Sequence, residues 1–513
     1  MLNLYFMNRL KEAVNSLPEF YQPVYGHKEW NDKPLRNCED RLPDIEKVYD
    51  HLSNELKRPL RVLDLGCAQG FFSFNIAHKG GGAVTGVDLR AENINLCNIL
   101  LRENPECNAK FIQAKIEEFA STIHEGEYDL VLMLSVLHNM SKYLGIKFVQ
   151  DMVADISKKI PNVIVEFALE SVHANYIPKN YRDFLPGYSF IRVLSYNDSR
   201  DVNGVKRPLC FASNRYTYFD NLGMLKIDDI TYNVHSYLDA KDVMHFHCGD
   251  KFVKFFNVKN QDLFLKSNQE IQFLKDMGGQ RGLPKLHAVT SEQDTTGLRI
   301  FIVRDRFQGI TLSEKISRGE KINRWNVVKQ ALEWLVFFEQ HNYYHGDSGT
   351  NNFIYSDDGK IYPIDYEEIR HERIVLAWPY NVTMLFFIFM NSVLEPHHNK
   401  FAFNREVRLL TDFKKHISQE QYEKILNLQE DEKYFSKLYE ILFNPQNRNV
   451  EKTKYNTAEL ELLQIEKYLE DVAQILQEYQ NKFNQIDKLI PLVLTQQKRI
   501  EHLEKLLDKI LKD

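Results

Sequence analysis

The 513-residue chain lacks two features that are typical of particular protein classes, namely paired cysteines and an excess of basic residues. Its six cysteines are scattered and show no C-x-x-C spacing, so neither a disulfide framework nor a zinc site is indicated, and we expect free thiols in a reducing compartment. The formal net charge is −6, whereas binding to nucleic acid requires a basic face. We therefore expect no nucleic-acid partner.

Long hydrophobic runs are also missing. The longest, Thr383–Leu394, has 12 residues and contains Asn391, whereas a membrane-spanning helix needs about 20. The apolar start, Met1–Leu10, is short and lacks the preceding basic residues of a signal peptide. These patterns predict a cytoplasmic protein, and its length predicts several folded units rather than one core.

The first third of the chain alternates strand and helix patterns, as in a doubly wound α/β fold. A buried strand, Leu60–Leu65, runs into a turn that contains Gly66 and Gly70, and a helix pattern follows. The next strand, Ala83–Asp88, ends in an acid 22 residues after Gly66. Because glycines let the backbone approach a ligand and such an acid grips a ribose diol, a nucleoside cofactor is indicated.

The turn reads D-x-G-x-x-x-G from Asp64 to Gly70, not the G-x-G-x-x-G of dinucleotide sites. It resembles motif I of class I S-adenosylmethionine methyltransferases, which implies an α/β Rossmann-like domain over residues 1–213. A nicotinamide site and a fold without a working cofactor site remain alternatives. The resemblance places at the cofactor the turn, the ribose acid, the segment Lys115–Phe119 and the fourth strand: Asp64, Gly66, Ala68, Gly70, Asp88, Leu89, Ile116, Glu117 and Leu134.

A second catalytic pattern lies at His345–Gly346–Asp347. An asparagine follows five residues later, at Asn352, and Asp365 comes 18 residues after Asp347 within an Ile-Asp-Tyr-Glu sequence. This order is typical of kinase-type phosphotransferases, in which the first aspartate orients the substrate hydroxyl and the other two residues hold Mg²⁺ against ATP. His345 would brace the loop.

Residues 214–450 would then form an α+β, two-lobed, protein-kinase-like domain. A hairpin turn at Gly249–Asp250 leads into the strand Lys251–Phe256, where Lys254 alternates with apolar neighbours and would contact the ATP phosphates. Glu270, in the helical run Leu263–Lys275, would hold that lysine. The strand Arg299–Phe307 would reach the nucleotide at the hinge through Arg304, Asp305, Arg306 and Phe307.

Two departures from protein kinases qualify this interpretation. The His-Gly-Asp and Ile-Asp-Tyr-Glu sequences resemble those of choline kinases, aminoglycoside phosphotransferases and lipopolysaccharide sugar kinases, which implies a sugar or small-molecule hydroxyl as acceptor. No G-x-G-x-x-G precedes Lys254; Gly249 is the only nearby glycine.

Residues 455–513 show the seven-residue repeat of a coiled coil. Two apolar columns alternate over more than four heptads, and Pro491 is expected to kink the helix. One column contains Leu462, Leu469, Leu476, Phe483 and Ile490, and the other Ile465, Val472, Tyr479, Ile486 and Val493. A lone amphipathic helix is the alternative.

In its order of domains the chain resembles the bifunctional kinase–methyltransferases that terminate polymannose O-antigen chains in Gram-negative bacteria. The resemblance is strongest at residues 16–22, 26–31 and 63–73. It implies an N-terminal segment folded over the methyl donor, with Tyr21, Gln22 and Arg41 beside it. It also implies that ATP and Mg²⁺ serve to phosphorylate the terminal sugar, and that S-adenosylmethionine then methylates the phosphate.

The same resemblance implies a lipid-linked polysaccharide acceptor, a polymerising glycosyltransferase as partner, a trimer formed by the coiled coil and at most peripheral association with the inner membrane. Two other interpretations stay open. One is a methyltransferase that carries a pseudokinase as an assembly scaffold, and the other is a choline-type small-molecule kinase fused to an unrelated methyltransferase.

Overall fold

The computed structural model describes residues 2–30, 34–80, 82–168, 176–198, 205–232, 242–294, 296–371, 382–395, 416–428 and 433–444. The predicted coiled coil, 455–513, lies outside these residues. The chain divides into two compact units, Met1–Phe264 with Leu286–Arg306, and Leu265–Lys285 with Phe307–Asp513. All six cysteines are buried free thiols, as predicted.

The first unit contains a seven-stranded sheet in the order β3-β2-β1-β4-β5-β7-β6, parallel except for its last two strands. This is the predicted class I methyltransferase fold, and its last two strands form an antiparallel hairpin. The elements are α1 (Leu2–Asn15), α2 (Leu42–Leu56), β1 (Val62–Leu65), α3 (Phe71–Gly80), β2 (Val84–Asp88), α4 (Ala91–Glu103), β3 (Ala109–Gln113), α5 (Ile116–Thr122), β4 (Leu130–Leu134), α6 (Leu137–Leu144), α7 (Ile146–Lys159), β5 (Asn162–Glu166), β6 (Phe190–Asp198) and β7 (Lys206–Ser213).

The central strands are apolar along their whole length because helices cover both faces of the sheet. Every residue of β1, β4 and β5 is buried. Successive side chains point to opposite faces, so that Val62 and Leu132 join one hydrophobic cluster while Leu63 and Val131 join the other. The carboxyl ends of these strands are therefore held rigidly side by side.

A second, antiparallel sheet belongs to the same unit. Its order is β10-β11-β12-β14-β13, that of the sheet in the amino-terminal lobe of a kinase-like fold. The predicted hairpin is confirmed, since Cys248 pairs with Lys251 across the turn and Gly249 has a φ of +59°. The strands are β8 (Tyr216–Phe219), β9 (Gly223–Lys226), β10 (Asp229–Tyr232), β11 (Val243–Cys248), β12 (Lys251–Val258), β13 (Leu286–Asp294) and β14 (Gly297–Asp305), with β8 and β9 forming a separate ribbon.

A buried ion network joins the two sheets. Arg182 Nη2 lies 3.1 Å from Glu292 Oε2, and Arg182 Nη1 lies 2.9 Å from Asp294 Oδ2. Glu292 also accepts a hydrogen bond of 2.9 Å from the backbone N–H of Val193 in β6. The ring centroids of Phe190 and Phe301 lie 5.5 Å apart beside it, so that apolar packing and charge pairing fix the same interface.

The second unit contains the helices and short hairpins of a carboxyl-terminal kinase lobe. Helix α10 (Arg324–Gln340) precedes the predicted catalytic loop, and strand β18 (Ile361–Pro363) follows it. The elements are α8 (Gln261–Met277), which begins in the first unit, β15 (Ile310–Thr311), α9 (Leu312–Ser317), α10 (Arg324–Gln340), β16 (Tyr344–His345), β17 (Phe353–Tyr355), β18 (Ile361–Pro363), β19 (Ile369–Arg370), α11 (Val382–Leu394), α12 (Gln419–Leu426) and α13 (Tyr434–Phe443).

Buried contacts hold these helices around α10. The carboxylate of Glu339 accepts hydrogen bonds of 2.8 Å from the backbone N–H groups of Phe435 and Ser436. These N–H groups lie in the first turn of α13 and have no partner within the helix, so Glu339 caps it. Phe386 and Met390 of α11, which contains the longest hydrophobic run of the sequence, are buried within this lobe. Among the described residues, no helix is long and apolar enough to span a bilayer.

Replacing Arg182 with Met is expected to lower the free energy of unfolding by about 3–5 kcal/mol, because Glu292 loses its paired cation in a buried site. Urea unfolding of the full chain measures the change. The control is Lys147→Met, which removes an exposed pair with Asp151 and should cost under about 1 kcal/mol. Equal losses in the two variants would contradict a structural role for the buried network.

Candidate active sites

The turn between β1 and α3 is the base of the first site. Gly66 and Gly70 have φ of +79° and +77°, and Ala68 between them has a φ of +46°. The backbone N–H groups of Gly66 and Cys67 both donate to the carbonyl of Val87, at 2.8 and 3.0 Å. A Cβ on Gly66 would lie 2.4 Å from Val136 Cγ1, so glycine is required there by space as well as by conformation.

Asp88 stands at the carboxyl end of β2 with its carboxylate fixed in place. One oxygen accepts a hydrogen bond from Ala68 N at 3.0 Å. The other accepts from Arg90 N at 2.8 Å and from Asn93 Nδ2 at 3.0 Å. A carboxylate oriented in this way at the edge of a parallel sheet is suited to a ribose diol, as the sequence predicts.

The other predicted cofactor residues of the sheet lie around this edge. Leu89 follows Asp88 and is 60% exposed, while Leu134 ends β4 and is buried. Ile116 and Glu117 begin α5, so this predicted cofactor segment lies on the first turn of a helix. Glu117 and Glu118 favour a helix start there, because acidic side chains stabilise a helix amino terminus.

Asp64 lies beneath the turn rather than at its surface. Its side chain is buried and accepts a hydrogen bond of 2.7 Å from Ser73 Oγ in α3. Burial raises the pKa of Asp64 to about 7. The contact joins β1 to α3, which indicates that Asp64 shapes the turn.

The segment that follows α1 is tied directly to the turn. Gln22 N donates to Gln69 Oε1 at 2.8 Å, and Gln22 Oε1 accepts from Phe71 N at 3.0 Å, at the start of α3. Gln69 Nε2 in turn donates to Asn93 Oδ1 at 2.7 Å. The carbonyl of half-buried Tyr21 accepts from Arg36 N at 3.0 Å, so this segment crosses the predicted cofactor site.

Arg41 is buried at the same edge of the sheet. Its guanidinium lies 5.2 Å from the centroid of the Phe72 ring, and its Nη1 lies 3.0 Å from Glu166 Oε2 at the end of β5. Arg36 Nη2 contacts the other oxygen of Glu166 at 2.6 Å. The sequence analysis missed Arg36 and Glu166, since 130 residues separate them and no motif joins them.

In the second unit, His345 organises the predicted catalytic loop. Its Nε2 lies 3.1 Å from the carbonyl oxygen of Ile364, and its Nδ1 accepts from Asp347 N at 3.2 Å. Burial lowers the pKa of His345, so that the neutral ring makes both contacts with its proton on Nε2. Asn352 Nδ2 closes the loop by donating to the Asp347 carbonyl at 2.7 Å.

The strand pair β16 and β19 explains the glycine in His-Gly-Asp. Gly346 N donates to the Glu368 carbonyl at 2.8 Å, and a Cβ on Gly346 would lie 2.9 Å from that oxygen. The larger arginine of protein kinases is therefore excluded unless the strands separate. Lys266 Nζ, at 3.2 Å from Glu368 Oε1, holds the residue that directly precedes β19.

Asp365 follows β18 in the left-handed region, with a φ of +64°. Such backbone strain in a non-glycine residue is common at functional sites. The amide nitrogen of Asn352 is already used within the loop, which leaves its oxygen as the metal-binding atom. Carboxylate and amide oxygens are hard donors of the kind Mg²⁺ prefers, so the side chains of Asn352 and Asp365 fit that ion.

Lys254 belongs to the first unit and Glu270 to the second. Lys254 is buried in β12 and lies 5.1 Å from the centroid of the Phe256 ring. Glu270 is fully buried on α8. Their pairing remains a prediction.

The predicted hinge residues lie at the end of β14, which closes with Asp305, and directly after it. Arg304 lies over the Phe252 ring at 4.2 Å, and Asp305 Oδ1 is 2.6 Å from His287 Nε2. Arg306 Nη1 lies 3.2 Å from Asp228 Oδ2. Phe307 stacks on Tyr362 at 4.7 Å. Their role at the nucleotide also remains a prediction.

The hairpin that would precede the lysine strand in a kinase lobe is β10–β11, which the sequence analysis missed. The strand β10 is short and mostly exposed, so it gives no alternating pattern. Its connection to β11 runs through residues 233–241, which lie outside the described residues and contain no glycine in the sequence. The Gly249–Asp250 turn belongs to the next hairpin and leads to Lys254.

Known proteins match both halves of the chain. A family model for a methyltransferase domain matches residues 56–160. Two Escherichia coli proteins, each an O-antigen chain terminator bifunctional methyltransferase/kinase WbdD, are 30% and 31% identical over 399 residues, 75% of this chain. The chain spans 56% of the length of each of these relatives.

A solved structure of the bifunctional kinase-methyltransferase WbdD superimposes with a TM-score of 0.70 at 26% identity. The match covers 90% of this chain and 100% of the solved one. It therefore includes both compact units, and it supports the class I methyltransferase fold and the kinase-like fold together.

Gly66→Ala is expected to lower the affinity for S-adenosylmethionine at least tenfold, because the new methyl group would meet Val136 Cγ1 and shift the turn. Isothermal titration calorimetry measures the affinity. Gly126→Ala is the matched control, since Gly126 has a similar φ of +74° but nothing within 4 Å of the added Cβ. Undiminished affinity in Gly66→Ala would show that the turn does not hold the donor.

Proposed function

We propose that the chain belongs to the same family as these bifunctional methyltransferase/kinases, and that it phosphorylates the terminal sugar of an O-antigen polysaccharide and then methylates that phosphate. This reaction would terminate chain growth and set chain length. The observation that carries the proposal is that one chain contains both a constrained methyltransferase turn at Gly66–Gly70 and a braced phosphotransferase loop at His345–Asn352.

In the kinase half, Asp347 orients the sugar hydroxyl and accepts its proton as the oxygen attacks phosphorus. ATP, bound with Mg²⁺, supplies the γ-phosphoryl group. Asn352 and Asp365 would hold the metal ion, and Lys254 would contact the phosphates, with Glu270 as the partner that the kinase pattern predicts for it. Residues Arg304–Phe307 border the adenine. The neutral ring of His345 keeps Asp347 in place through its backbone N–H.

In the methyltransferase half, Asp88 holds the ribose, and the segment with Tyr21, Gln22 and Arg41 covers the donor. S-adenosylmethionine supplies a methyl group bound to a sulfonium, whose C–S electron pair stays on sulfur while the phosphate dianion becomes a monoanionic methyl ester. No proton is released, so no general base is needed, and the protein contributes positioning.

The assembly proposals rest on the family alone. The coiled coil at 455–513 would form a homotrimer and gather a polymerising glycosyltransferase. A lipid-linked acceptor would bring the chain to the cytoplasmic face of the inner membrane as a peripheral protein.

A pseudokinase that serves as a scaffold is the second candidate. The observation that favours it is the lack of glycine between β10 and β11, at residues 233–241, where kinases place their phosphate-covering loop. In that case methylation would not depend on Asp347.

Asp347→Ala is expected to reduce phosphate transfer from ATP to a mannose oligosaccharide by about 10²–10⁴-fold, because the group that orients the hydroxyl is lost. Uptake of labelled methyl groups by the same oligosaccharide should fall equally. Methylation of a chemically phosphorylated oligosaccharide should be retained.

Asp358→Ala is the control for this experiment. Asp358 is an exposed aspartate in the next turn, paired with Lys360 at 2.9 Å, and its loss should change none of the three rates. Unchanged methyl uptake in Asp347→Ala would show that phosphorylation does not precede methylation and would favour the pseudokinase.

A further inference from the structure

Basic side chains gather at the carboxyl ends of β4 and β5. Arg36 and Arg41 each contact one oxygen of Glu166, at 2.6 and 3.0 Å. The hydroxyl of Ser135, the first residue after β4, donates to Glu166 Oε2. Arg207 Nη1 in β7 donates to Ser135 Oγ at 3.3 Å. The cluster therefore joins four separate parts of the chain at one edge of the sheet.

This cluster differs from an ordinary ion pair in its charge and burial. Arg36, Arg41 and Glu166 are 3%, 1% and 1% exposed, and the two guanidinium groups share the single buried carboxylate. Asp40, which contacts Arg41 Nε at 3.2 Å, is partly exposed to solvent. Among the described residues, buried Arg36 Nε has no hydrogen-bond partner. Burying an N–H donor of a charged guanidinium group costs free energy unless that donor forms a hydrogen bond, most favourably with an anion.

The cluster lies next to the proposed donor site. Val136, the neighbour of Ser135, is the residue that a Cβ on Gly66 would meet at 2.4 Å. Ser135 has a φ of +59°, which is unfavourable for a residue other than glycine. Ligands of open α/β sheets bind at the carboxyl ends of the strands, and backbone strain often marks such sites.

We propose that Arg36, Arg207 and Ser135 bind the phosphoryl group of the methyl acceptor, with Glu166 as the positioning residue that holds Arg36. The inference rests on the proposed function and deepens it. Planar guanidinium groups match phosphate oxygens well. A phosphomonoester carries nearly two negative charges and its methyl ester only one, so the same groups bind substrate more tightly than product.

Arg41 is not part of the proposed phosphoryl-binding site, because the family resemblance places this residue beside the methyl donor. The donor also carries a carboxylate, which could occupy an arginine cluster. The two assignments differ in a measurable way, since an acceptor site affects binding of the phosphorylated glycan and a donor site affects binding of S-adenosylmethionine.

The test uses the full chain and two ligands, a mannose oligosaccharide phosphorylated at its non-reducing end and S-adenosylmethionine. Titration calorimetry measures both affinities, and KM for the oligosaccharide is measured in methyl transfer. In Arg36→Lys and Arg207→Lys we expect at least tenfold weaker binding of the phosphorylated oligosaccharide and a matching rise in KM. Donor affinity should stay within twofold.

Arg192→Lys is the matched control. Arg192 is also a buried arginine of the antiparallel hairpin, but it contacts the Tyr218 carbonyl at 3.0 Å and Asp220 at 2.6 Å. Both affinities should be unchanged in that variant. Ser135→Ala, which removes only a hydroxyl, provides the test if a lysine variant does not fold, and it should weaken oligosaccharide binding alone.

Unchanged oligosaccharide affinity in the folded variants would overturn the assignment, as would a loss of donor affinity in place of acceptor affinity. Methyl transfer by the wild-type protein shows whether the acceptor-site assignment alone is wrong or the proposed function is wrong as well. If it methylates the phosphorylated oligosaccharide while the variants keep its KM, the acceptor site is wrong and the function stands. If it does not methylate that compound, the proposed function fails and the assignment with it.

Discussion

The first unit depends on the carboxylate of Glu166. This one buried group, at the end of β5, holds Arg36 and Arg41 from the segment that precedes α2. Without it, among the described residues, Arg36 would be buried with no ion-pair partner and Arg41 would keep only the partly exposed Asp40, a cost of several kcal/mol. The same segment is fixed at its other end by Gln22, which bonds to Gln69 and to the start of α3. The methyltransferase site is thus assembled from parts that are distant in sequence.

The catalytic loop of the second unit is different, because the contacts that fix its shape join residues that are close in sequence. His345 bonds to Asp347 and to the Ile364 carbonyl, and Asn352 bonds to the Asp347 carbonyl. All of these residues lie within about 20 positions, so their spacing alone predicts the loop. The reason for glycine at position 346 lies in the Glu368 carbonyl and needs the structure.

The same distinction explains how much of the molecule the sequence predicts. Fully apolar strands such as β1 and β4 and the turn from Gly66 to Gly70 are predictable, since each pattern is local and its physical cause is burial or a positive φ. The strand β10 was missed because it is short and exposed. Glu166 and Ser135 were missed because an acid or a hydroxyl after an apolar strand indicates nothing until its arginine partners are located.

The central claim is that the phosphate made by one half of the chain is the methyl acceptor of the other. It is tested most directly by nuclear magnetic resonance of a mannose oligosaccharide incubated with the protein, ATP, Mg²⁺ and ¹³C-methyl-labelled S-adenosylmethionine. The account predicts one labelled methyl signal per chain end, split by coupling to ³¹P through the ester oxygen. A labelled methoxy signal without phosphorus coupling would contradict it.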